Sequence, residues 1–447
     1  MTARRLLAIS WDMPPLSGPR AIQVSRTLKH LVPLGWESSV VCFAPRSRRY
    51  NQDLELAGRL RVPSGVTLIP VPSPEERAFF RALWRVCPPI KLLPDEKWVW
   101  IARASRVARR LAAEQPFDVL VSFAQPWSDH LIGLRVQQAT GLPWIAHFSD
   151  PWTDSPYLCG RRWQWRVWRR MEADVISHAD AIVFVNAQTA DRVMRKYSAA
   201  WRAKTYVVPH GFDCSELSSK PATPESERLN LVYTGRFYDG FRTPESLLRA
   251  LATLARRRPL ARELRVTFVG TAVPGHQRLA AGLQLRDVLE FTGRLAFAES
   301  AARAAAADVL IVIDAPSDES LFLPSKLVDY LPLDKPILGL TPARGASADL
   351  IRSLGYPVVP PDDETAIASA IEAFIDMKRE GRLAASGSHH AVAERYDIRT
   401  TTRAFADILG RLRPRRAEAM RSRSACGPSE REGASESERG WGPREPW

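Results

Sequence analysis

Residues 320–330 read Ser-Leu-Phe-Leu-Pro-Ser-Lys-Leu-Val-Asp-Tyr and follow an apolar stretch that is typical of a buried strand. Pro324 can occupy the first turn of a helix, where its missing N–H costs nothing. Ser325 and Lys326 would then stand at a helix N-terminus, which attracts anions, and Asp329 would lie one turn further on the same face. A hydroxyl, an ammonium and free N–H groups suit a diphosphate, and a carboxylate one turn on suits a ribose diol. We therefore predict a nucleotide site here.

The strand before this site belongs to a longer series in which strand patterns alternate with helical patterns. Such alternation predicts parallel sheets flanked by helices. The strand candidates are Leu6–Trp11, Ser38–Phe43, Val66–Val71, Asp118–Phe123, Pro143–Phe148, Ala181–Val185 and Thr205–Val208, followed by Leu229–Thr234, Leu264–Gly270, Val288–Thr292, Asp308–Ile313 and Pro336–Leu340. The sequence predicts an α/β protein of two doubly wound domains, with ligands beyond the carboxyl ends of the strands.

A polar, proline-bearing stretch separates the two series and gives the domain boundaries. We predict an N-terminal domain over residues 1–210, a linker over 211–228 and a C-terminal domain over 229–398. Residues 399–413 are predicted to form a C-terminal helix that packs back on the N-terminal domain. Residues 414–447 are rich in Arg, Glu, Ser, Gly and Pro, which is typical of a disordered tail.

The composition excludes several classes of protein. A chain of 447 residues is too long for one ordinary core, and no apolar run reaches the ~18 residues of a membrane helix. Asp12 ends the short apolar run that follows Arg4 and Arg5, so we interpret the start as a strand rather than a signal peptide and expect a cytoplasmic protein. The five cysteines are scattered and form no CxxC pair, so they indicate neither a disulfide framework nor a zinc site.

The formal charge of +14 leaves two interpretations open. Such a charge favours nucleic acid, anionic lipid or phosphorylated substrates, and the alternative is a solvated surface in an Arg-rich chain. The basic residues that stand out lie at helix starts after strands, rather than along one helix or beside stacking aromatics. We therefore expect no nucleic-acid partner.

Three further motifs follow predicted strands, and each places chemistry at a carboxyl end. Gly18 lies in a turn that leads into a helix, where a ligand can approach the backbone. His147 and Asp150 end the fifth strand, where a parallel sheet presents its active residues. Arg236 and Arg242 flank the loop after the first strand of the second domain, and two guanidiniums there can clamp a diphosphate.

Together these pieces resemble the GT-B glycosyltransferases, specifically the family 4-like group in its Pro-Ser-Lys variant. The resemblance spans nearly all of residues 5–412 and rests on segments in the family's order. These are residues 14–18 (PPLSG), 147–152 (HFSDPW), 179–186 (ADAIVFVN), 208–213 (VPHGFD), 233–236 (YTGR), 291–294 (FTGR), 324–330 (PSKLVDY) and 335–337 (KPI). The resemblance implies a GT-B fold, in which two Rossmann-like domains face a cleft.

The resemblance also implies roles for individual residues. It implies catalytic roles for His147, Arg236 and Lys326, donor-binding roles for Gly18, Arg242, Ser325 and Asp329, and further candidates in Asp150 and Glu319. The departure from the family pattern is Leu321, which stands where the first acid of the family's E-x7-E motif is expected. This places recognition of the donor sugar in doubt, whereas the diphosphate and ribose contacts match.

The implied activity is a retaining transfer of a sugar from a nucleotide-diphosphosugar to a hydroxyl acceptor, without a cofactor or a metal ion. A lipid-linked saccharide in bacterial envelope polysaccharide synthesis is the expected acceptor. Alternatives are a nucleotide-sugar epimerase of the same architecture and a degenerate transferase that only binds the donor. Residue types alone do not indicate the sugar, the base or the oligomeric state.

Two aromatic and basic segments suggest where a lipid-linked acceptor would approach. Residues 79–100 mix Phe and Trp with Arg and Lys, and Trp163, Trp165 and Trp168 alternate with arginines. Such mixtures are typical of interfacial segments, although interdomain packing explains them equally well. We hypothesise that both segments face an anionic membrane surface, with the protein peripheral on the inner leaflet of the plasma membrane.

Overall fold

The structure, a computed structural model, describes residues 3–45, 63–74, 78–86, 91–216, 227–238, 240–270 and 273–412, and it leaves the side chains of residues 78 and 81–83 undescribed. The tail predicted over 414–447 and residues 217–226 of the predicted linker lie outside the described residues. Within the described ranges the chain forms two parallel sheets, one on each side of the linker.

The first sheet has seven strands in the order β3-β2-β1-β4-β5-β6-β7. They are β1 (Arg4–Ile9), β2 (Trp36–Phe43), β3 (Val66–Val71), β4 (Val119–Ala124), β5 (Trp144–Phe148), β6 (Ala181–Phe184) and β7 (Thr205–Val207). Every neighbouring pair is parallel, with Leu6 of β1 level with Ser38 on one side and Val119 on the other. All carboxyl ends therefore lie along one edge, and the strand order reverses between β1 and β4.

The second sheet has six parallel strands in the order β10-β9-β8-β11-β12-β13 and reverses between β8 and β11. Its strands are β8 (Leu229–Thr234), β9 (Leu264–Val269), β10 (Leu289–Gly293), β11 (Val309–Ile313), β12 (Ile337–Leu340) and β13 (Val358–Val359). Each predicted strand is present within one or two residues of its expected bounds, and the two-residue β13 is an addition that the sequence did not predict.

Sixteen α-helices cover the sheets in the described ranges. In the first half they are α1 (Pro19–Leu31), α2 (Ala78–Val86), α3 (Trp98–Glu114), α4 (Ser128–Thr140), α5 (Arg162–His178), α6 (Ala187–Met194) and α7 (Ala199–Arg202). In the second half they are α8 (Glu245–Ala255), α9 (Leu260–Glu263), α10 (Pro274–Gly282), α11 (Phe297–Ala305), α12 (Ser325–Tyr330), α13 (Ala346–Ser353), α14 (Glu364–Arg379), α15 (His389–Ala393) and α16 (Ile398–Arg411).

Each sheet is covered by helices on both faces. Successive strand residues point to opposite sides, so each strand contributes to both helix–sheet cores. In the first sheet Leu7 packs with α3, α4 and α5, whereas Leu6 packs with α1 and α16. In the second sheet Leu231 packs with α8 and α14, whereas Val232 packs with α12 and α13. The doubly wound architecture predicted for both halves is confirmed.

Two of the six tryptophans in the segments hypothesised to face a membrane are core residues, whereas Trp163 is exposed. Trp100 and Trp168 are fully buried. The indole of Trp100 donates to the carbonyl of Val71, and that of Trp168 donates to the carbonyls of Leu92 and Pro94. Their N–H groups are therefore committed to loops of the N-terminal half, as buried tryptophans require. No helix in the described ranges is both long and apolar enough to cross a bilayer.

The last helix, α16, joins the C-terminal end of the described chain to the N-terminal sheet. Its Phe405, Ile408 and Leu409 pack in the core that contains Val24 of α1. The ring of Phe405 lies 5.9 Å from that of His147, edge to face. The C-terminal helix therefore buttresses the carboxyl end of β5.

We expect Phe405→Ala to destabilise the protein by about 3–5 kcal/mol, because a fully packed phenylalanine leaves a cavity on truncation. Chemical denaturation monitored by circular dichroism measures the change in the free energy of unfolding. Phe79→Ala is the matched control, since Phe79 is 70% exposed and surface truncations change stability by about 0.5 kcal/mol or less. Equal effects of the two variants would contradict the assigned packing of α16.

Candidate active site in the cleft

The predicted site residues lie at the carboxyl ends of strands in both sheets. Gly18 is the N-cap of α1 after β1, His147 lies in β5 and Asp150 just beyond it, Arg236 and Arg242 follow β8, and Ser325, Lys326 and Asp329 belong to α12 after β11. The guanidinium of Arg294, after β10, donates to the hydroxyl of Ser17, after β1, at 3.0 Å. The carboxyl edges of the two sheets therefore face each other across a cleft.

Lys326 is a buried cation that lacks a hydrogen-bond partner within the described chain. Its ammonium lies 3.7 Å from the centre of the Tyr233 ring, which is a cation–π contact. Gly235, with φ +136°, makes room for the side chain, because a Cβ there would lie 2.9 Å from Cε of Lys326. Burial and the charge of Arg242 hold the pKa of Lys326 well below its usual range. An anion at this point would relieve both penalties.

Arg242 is the second cation of this cluster. Its guanidinium approaches Asp314 at 3.9 Å, and its Nε is buried without a hydrogen-bond partner in the described residues. Asp314 is fixed by the hydroxyls of Ser320 (3.1 Å) and Thr341 (2.8 Å). Burial lowers the pKa of Arg242, but Asp314 and the neighbouring tyrosines 233, 157 and 238 together outweigh it and raise the pKa. The arginine is thus permanently charged and aimed by a rigid carboxylate.

Arg236 completes the basic group from an exposed position. Its guanidinium and that of Arg242 lie 5.7 and 5.5 Å from the ring of Tyr238. Tyr238 therefore spaces the two charges and holds both near the loop after β8. A diphosphate placed between Arg236, Arg242 and Lys326 would meet three cations.

His147 is paired with Arg20, a residue that sequence analysis missed. Nη2 of Arg20 lies 3.1 Å from Nδ1 of His147 and donates to the histidine carbonyl at 3.2 Å. A guanidinium has no acceptor, so Nδ1 must accept and the proton must reside on Nε2. Burial and the charge of Arg20 hold the pKa of His147 well below its usual range. The imidazole is therefore a hydrogen-bond donor and not a general base.

The Asp150 carboxylate interacts electrostatically with an arginine from each half, Arg20 and Arg242. Its carboxylate accepts a hydrogen bond from Ser149 at 3.2 Å. Burial raises the pKa of Asp150, and the charges of Arg20 and Arg242 oppose that rise. One carboxylate from the N-terminal half thus partly balances a cation from each half.

Two of the predicted residues are engaged in contacts between the halves. Asp329 forms an ion pair with Arg26 of α1 at 2.7 Å, and Arg26 also binds Glu216 at 2.7 Å. Glu319 pairs with Arg192 of α6 at 3.0 Å. Ser325 begins α12, which has only six residues, so the anion preference expected of its N-terminus comes chiefly from side-chain cations.

Leu321 does not simply lack a carboxylate. Its side chain is buried, and its carbonyl accepts hydrogen bonds from the Thr189 hydroxyl at 2.6 Å and the Asn186 amide at 3.2 Å. The position that carries an acid in the family here contributes backbone to the contact between the two halves. Within the described ranges, no three His, Cys, Asp or Glu side chains form a group that could hold a metal ion.

Arg20, Arg26 and Asp314 are the site residues that sequence reasoning missed. Asp314 had a usable signal, because it directly follows an apolar strand. Arg20 had a weaker one, as the second residue after the Gly18 turn. Arg26 had none, since its partner Asp329 lies 303 residues away.

We expect the His147 ring to remain protonated at Nε2 alone between pH 5 and 8, because Arg20 donates to Nδ1. Nitrogen NMR of ¹⁵N-histidine-labelled protein reports the tautomer, and His147→Gln assigns the signal. In Arg20→Met the pKa of His147 should rise and both tautomers should appear. Arg169→Met, at an exposed arginine, is the control. An unchanged tautomer in Arg20→Met would contradict the assigned pairing.

Comparison with protein families assigns both halves of the chain. Residues 21–211 match the model of the glycosyl transferase 4-like domain, and residues 228–377 match that of glycosyl transferases group 1. D-inositol 3-phosphate glycosyltransferase of Geodermatophilus obscurus is 28% identical over 228 residues, which are 47% of this chain and 50% of the relative. The match thus spans about half the length of that relative.

Solved structures share the fold at low identity. HepE of Anabaena, solved in complex with UDP, superposes with a TM-score of 0.64 at 16% identity and covers 92% of this chain and 100% of its own. A Listeria monocytogenes protein assigned as a UDP-N-acetylglucosamine 2-epimerase superposes with a TM-score of 0.57 at 11% identity, over 90% of this chain and 95% of its own. At these identities the likeness establishes the fold alone. The two domain matches, one in each half of the chain, show that this chain belongs to the group 1 glycosyl transferase family and has the GT-B fold.

Proposed function

We propose that this glycosyltransferase uses a nucleotide-diphosphosugar donor and transfers the sugar with retention to a hydroxyl acceptor. The proposal rests on two buried nitrogen atoms, Nζ of Lys326 and Nε of Arg242. Neither has a hydrogen-bond partner among the residues that the structure describes. Burying a charge without a partner is costly. A bound diphosphate offsets that cost, because its oxygens can pair with all three basic side chains.

Two cavities, one lined by Arg242 and the other by Asp329 of α12, suit the two ends of such a donor. A cavity of about 500 Å³ lies between the halves and is lined by residues that include Tyr157, Arg242, Asp314, Glu319 and Phe322. A smaller one, of about 70 Å³, is lined by residues that include Thr234, Asp329 and Tyr330. We assign the sugar to the first and the ribose to the second, with Asp329 as acceptor for the ribose hydroxyls.

In the proposed reaction the bond between the anomeric carbon and the diphosphate oxygen breaks, and the diphosphate leaves with the electron pair. The acceptor oxygen forms the new bond to the anomeric carbon on the same face, and its proton passes to the departing phosphate oxygen. Arg236, Arg242 and Lys326 stabilise the charge that develops on that oxygen, which is electrostatic catalysis. His147 contributes a hydrogen bond from Nε2–H to the donor sugar. We propose that no metal ion is needed.

We expect Lys326→Met to weaken UDP binding by ~10- to 100-fold, because it removes a charge-assisted contact worth about 1.5–3 kcal/mol. Thermal shift against UDP, GDP and ADP measures this, since a ligand at a hundredfold excess over its Kd stabilises by about 2.7 kcal/mol. Lys335→Met, at the other lysine of the same segment, is the matched control. Equal nucleotide stabilisation of wild type and Lys326→Met would refute the donor site.

The same lysine gives the binding a pH dependence. The free protein holds the pKa of Lys326 low, and a bound diphosphate raises it, so the complex binds more protons than its components. UDP affinity should therefore fall as pH rises above 7, where the diphosphate itself is fully ionised. Calorimetry in two buffers of different ionisation enthalpy should show proton uptake that is absent in Lys326→Met.

The epimerase alternative makes a different product. It would rearrange the donor without an acceptor, and the group 1 domain match favours transfer. Incubation with donor and with lipid-linked saccharide separates the two. Release of nucleoside diphosphate that depends on the acceptor supports transfer, whereas an altered free donor sugar supports epimerisation.

We further propose that the acceptor is lipid-linked and that the protein docks on an anionic membrane surface during envelope polysaccharide synthesis. The support is an exposed basic face on α5, formed by Arg162, Arg166, Arg169 and Arg170 around the 41% exposed Trp163. An exposed apolar side chain lies close by. Leu92 is 38% exposed, and its carbonyl accepts a hydrogen bond from the indole of Trp168 of α5.

The triple variant Arg166→Glu, Arg169→Glu and Arg170→Glu should lose binding to anionic vesicles by about a hundredfold or more, because each basic residue near such a surface contributes about 1 kcal/mol. Co-sedimentation with phosphatidylglycerol vesicles at low salt measures this. The control reverses three exposed arginines of the C-terminal half, Arg256, Arg257 and Arg262. Wild type that stays in the supernatant would refute the membrane proposal.

A further inference from the structure

The cavity assigned to the donor sugar has an aromatic rim that spans the two halves of the chain. Tyr157, in the chain after β5, stacks on Phe322 with ring centres 5.1 Å apart and meets Phe241 edge to face at 5.2 Å. All three rings line the cavity of about 500 Å³. Tyr157 belongs to the N-terminal half, and both of its ring partners belong to the C-terminal half. One N-terminal ring therefore reaches a cavity whose charged lining residues come from the C-terminal half.

The rings of this rim are not sealed in a core. Tyr157 is 39% exposed and Phe241 is 47% exposed, so their contact leaves much of both rings uncovered. Ligand cavities combine such apolar surface with a small number of placed polar groups. A tyrosine supplies both, because its ring is apolar and its hydroxyl is a hydrogen-bond donor and acceptor.

The chain after β5 holds Tyr157 in this position. Trp152 is fully buried and anchors the segment in the N-terminal core. The backbone N–H of Thr153 donates to the buried carboxylate of Glu172 in α5 at 2.8 Å. The N–H of Tyr157 donates to the hydroxyl of Ser155 at 3.3 Å. The tyrosine is therefore presented from a segment whose base is fixed to the N-terminal half.

The hydroxyl of Tyr157 is available to a ligand, whereas two carboxylates that line the cavity are engaged by the protein. Asp314 accepts hydrogen bonds from two hydroxyls, and Glu319 pairs with Arg192 of α6. The Tyr157 hydroxyl has no hydrogen-bond partner among the residues that the structure describes. Burial raises the pKa of Tyr157, and the charge of Arg242 opposes that rise. The phenol and the guanidinium therefore lie close enough to interact across the cavity.

The residue at position 321 explains why a phenol is needed here. The side chain of Leu321 is buried, and its carbonyl is bound by Thr189 and Asn186, so this position offers a sugar neither a carboxylate nor a free carbonyl. The next residue, Phe322, lines the cavity and carries the ring on which Tyr157 stacks. Beside the position of the family's acid, this chain thus has an aromatic pair with one free hydroxyl.

We propose that Tyr157 is a donor-binding residue of the N-terminal half, whose hydroxyl donates a hydrogen bond to a hydroxyl of the donor sugar and whose ring lies against that sugar. The inference rests on the proposed transferase function and deepens it, because it names the side chain that recognises the sugar without an acid at residue 321. The C-terminal cations bind the diphosphate, and the sugar adds the contact with the N-terminal half. Tyr157 should therefore distinguish a nucleotide sugar from its nucleoside diphosphate.

Calorimetry with defined ligands tests this distinction. The full chain is titrated with UDP, GDP, UDP-glucose, UDP-galactose, UDP-N-acetylglucosamine and GDP-mannose. Tyr157→Phe should raise the Kd of at least one nucleotide sugar about 2- to 10-fold, because one hydrogen bond between uncharged groups is lost, and should leave the Kd of its nucleoside diphosphate within about twofold. Tyr157→Ala should weaken the same nucleotide sugar further, since the ring contact is lost as well. Phe79→Ala, at an exposed aromatic residue of the N-terminal half that does not line this cavity, should change neither.

Fluorine NMR of protein labelled with 3-fluorotyrosine tests the contact directly. Tyr157 is one of nine tyrosines, and its signal is the one that disappears in Tyr157→Phe. Saturating nucleotide sugar should shift this signal more than the saturating nucleoside diphosphate does. Equal shifts with the two ligands would contradict a contact between Tyr157 and the sugar.

The outcomes separate this inference from the donor proposal. If no nucleotide binds to the wild type, the donor site itself is refuted. Normal binding of UDP or GDP, with every nucleotide-sugar affinity unchanged in Tyr157→Phe, overturns the role of Tyr157 alone. An equal loss of affinity for a nucleotide sugar and its nucleoside diphosphate overturns it as well, because a tyrosine that only joins the two halves affects both ligands alike.

Discussion

The ammonium of Lys326 lies buried against the Tyr233 ring without a hydrogen-bond partner among the described residues, and much of the C-terminal half is arranged around it. Gly235 gives it space, and Asp314, held by two hydroxyls, aims the neighbouring Arg242. Burial and the charge of Arg242 disfavour the protonated form of Lys326 in the free protein, which is why its pKa is lowered. The same arrangement is pre-organised for a multiply charged anion, so the cost to the free protein becomes affinity in the complex.

The two points at which strand order reverses carry different side chains into the cleft. Both sheets present their carboxyl edges to each other, and each reversal point opens into the space between them. The C-terminal point carries Arg242 and Lys326, whereas the N-terminal point carries Trp11 and Asp12. The C-terminal point therefore carries basic side chains, whereas the N-terminal point carries a carboxylate.

Sequence reasoning succeeded where the signal is local and failed where the partner is distant. Strand positions and Lys326 follow from apolar runs and the residues that end them. Arg20 and Arg26 were missed, since their partners lie 127 and 303 residues away. The helix α4 has a weak sequence signal for another reason: Asp129 and His130 are buried beside its apolar residues, so no amphipathic stripe marks it. The buried Trp100 and Trp168 look interfacial in sequence only because composition does not reveal which side of a helix is covered.

Arg26 binds the carboxylate of Glu216 and the carbonyl of Gly211 near the linker, and it reaches across to Asp329. If Asp329 binds the ribose, two groups compete for its carboxylate. One is Arg26, which links the two halves, and the other is the nucleotide that enters between them. Nucleotide entry then loosens the tie, and nucleotide departure restores it. A stronger Arg26–Asp329 ion pair would make the free protein more rigid and would weaken nucleotide binding. Re-formation of this ion pair would then favour release of the nucleotide product.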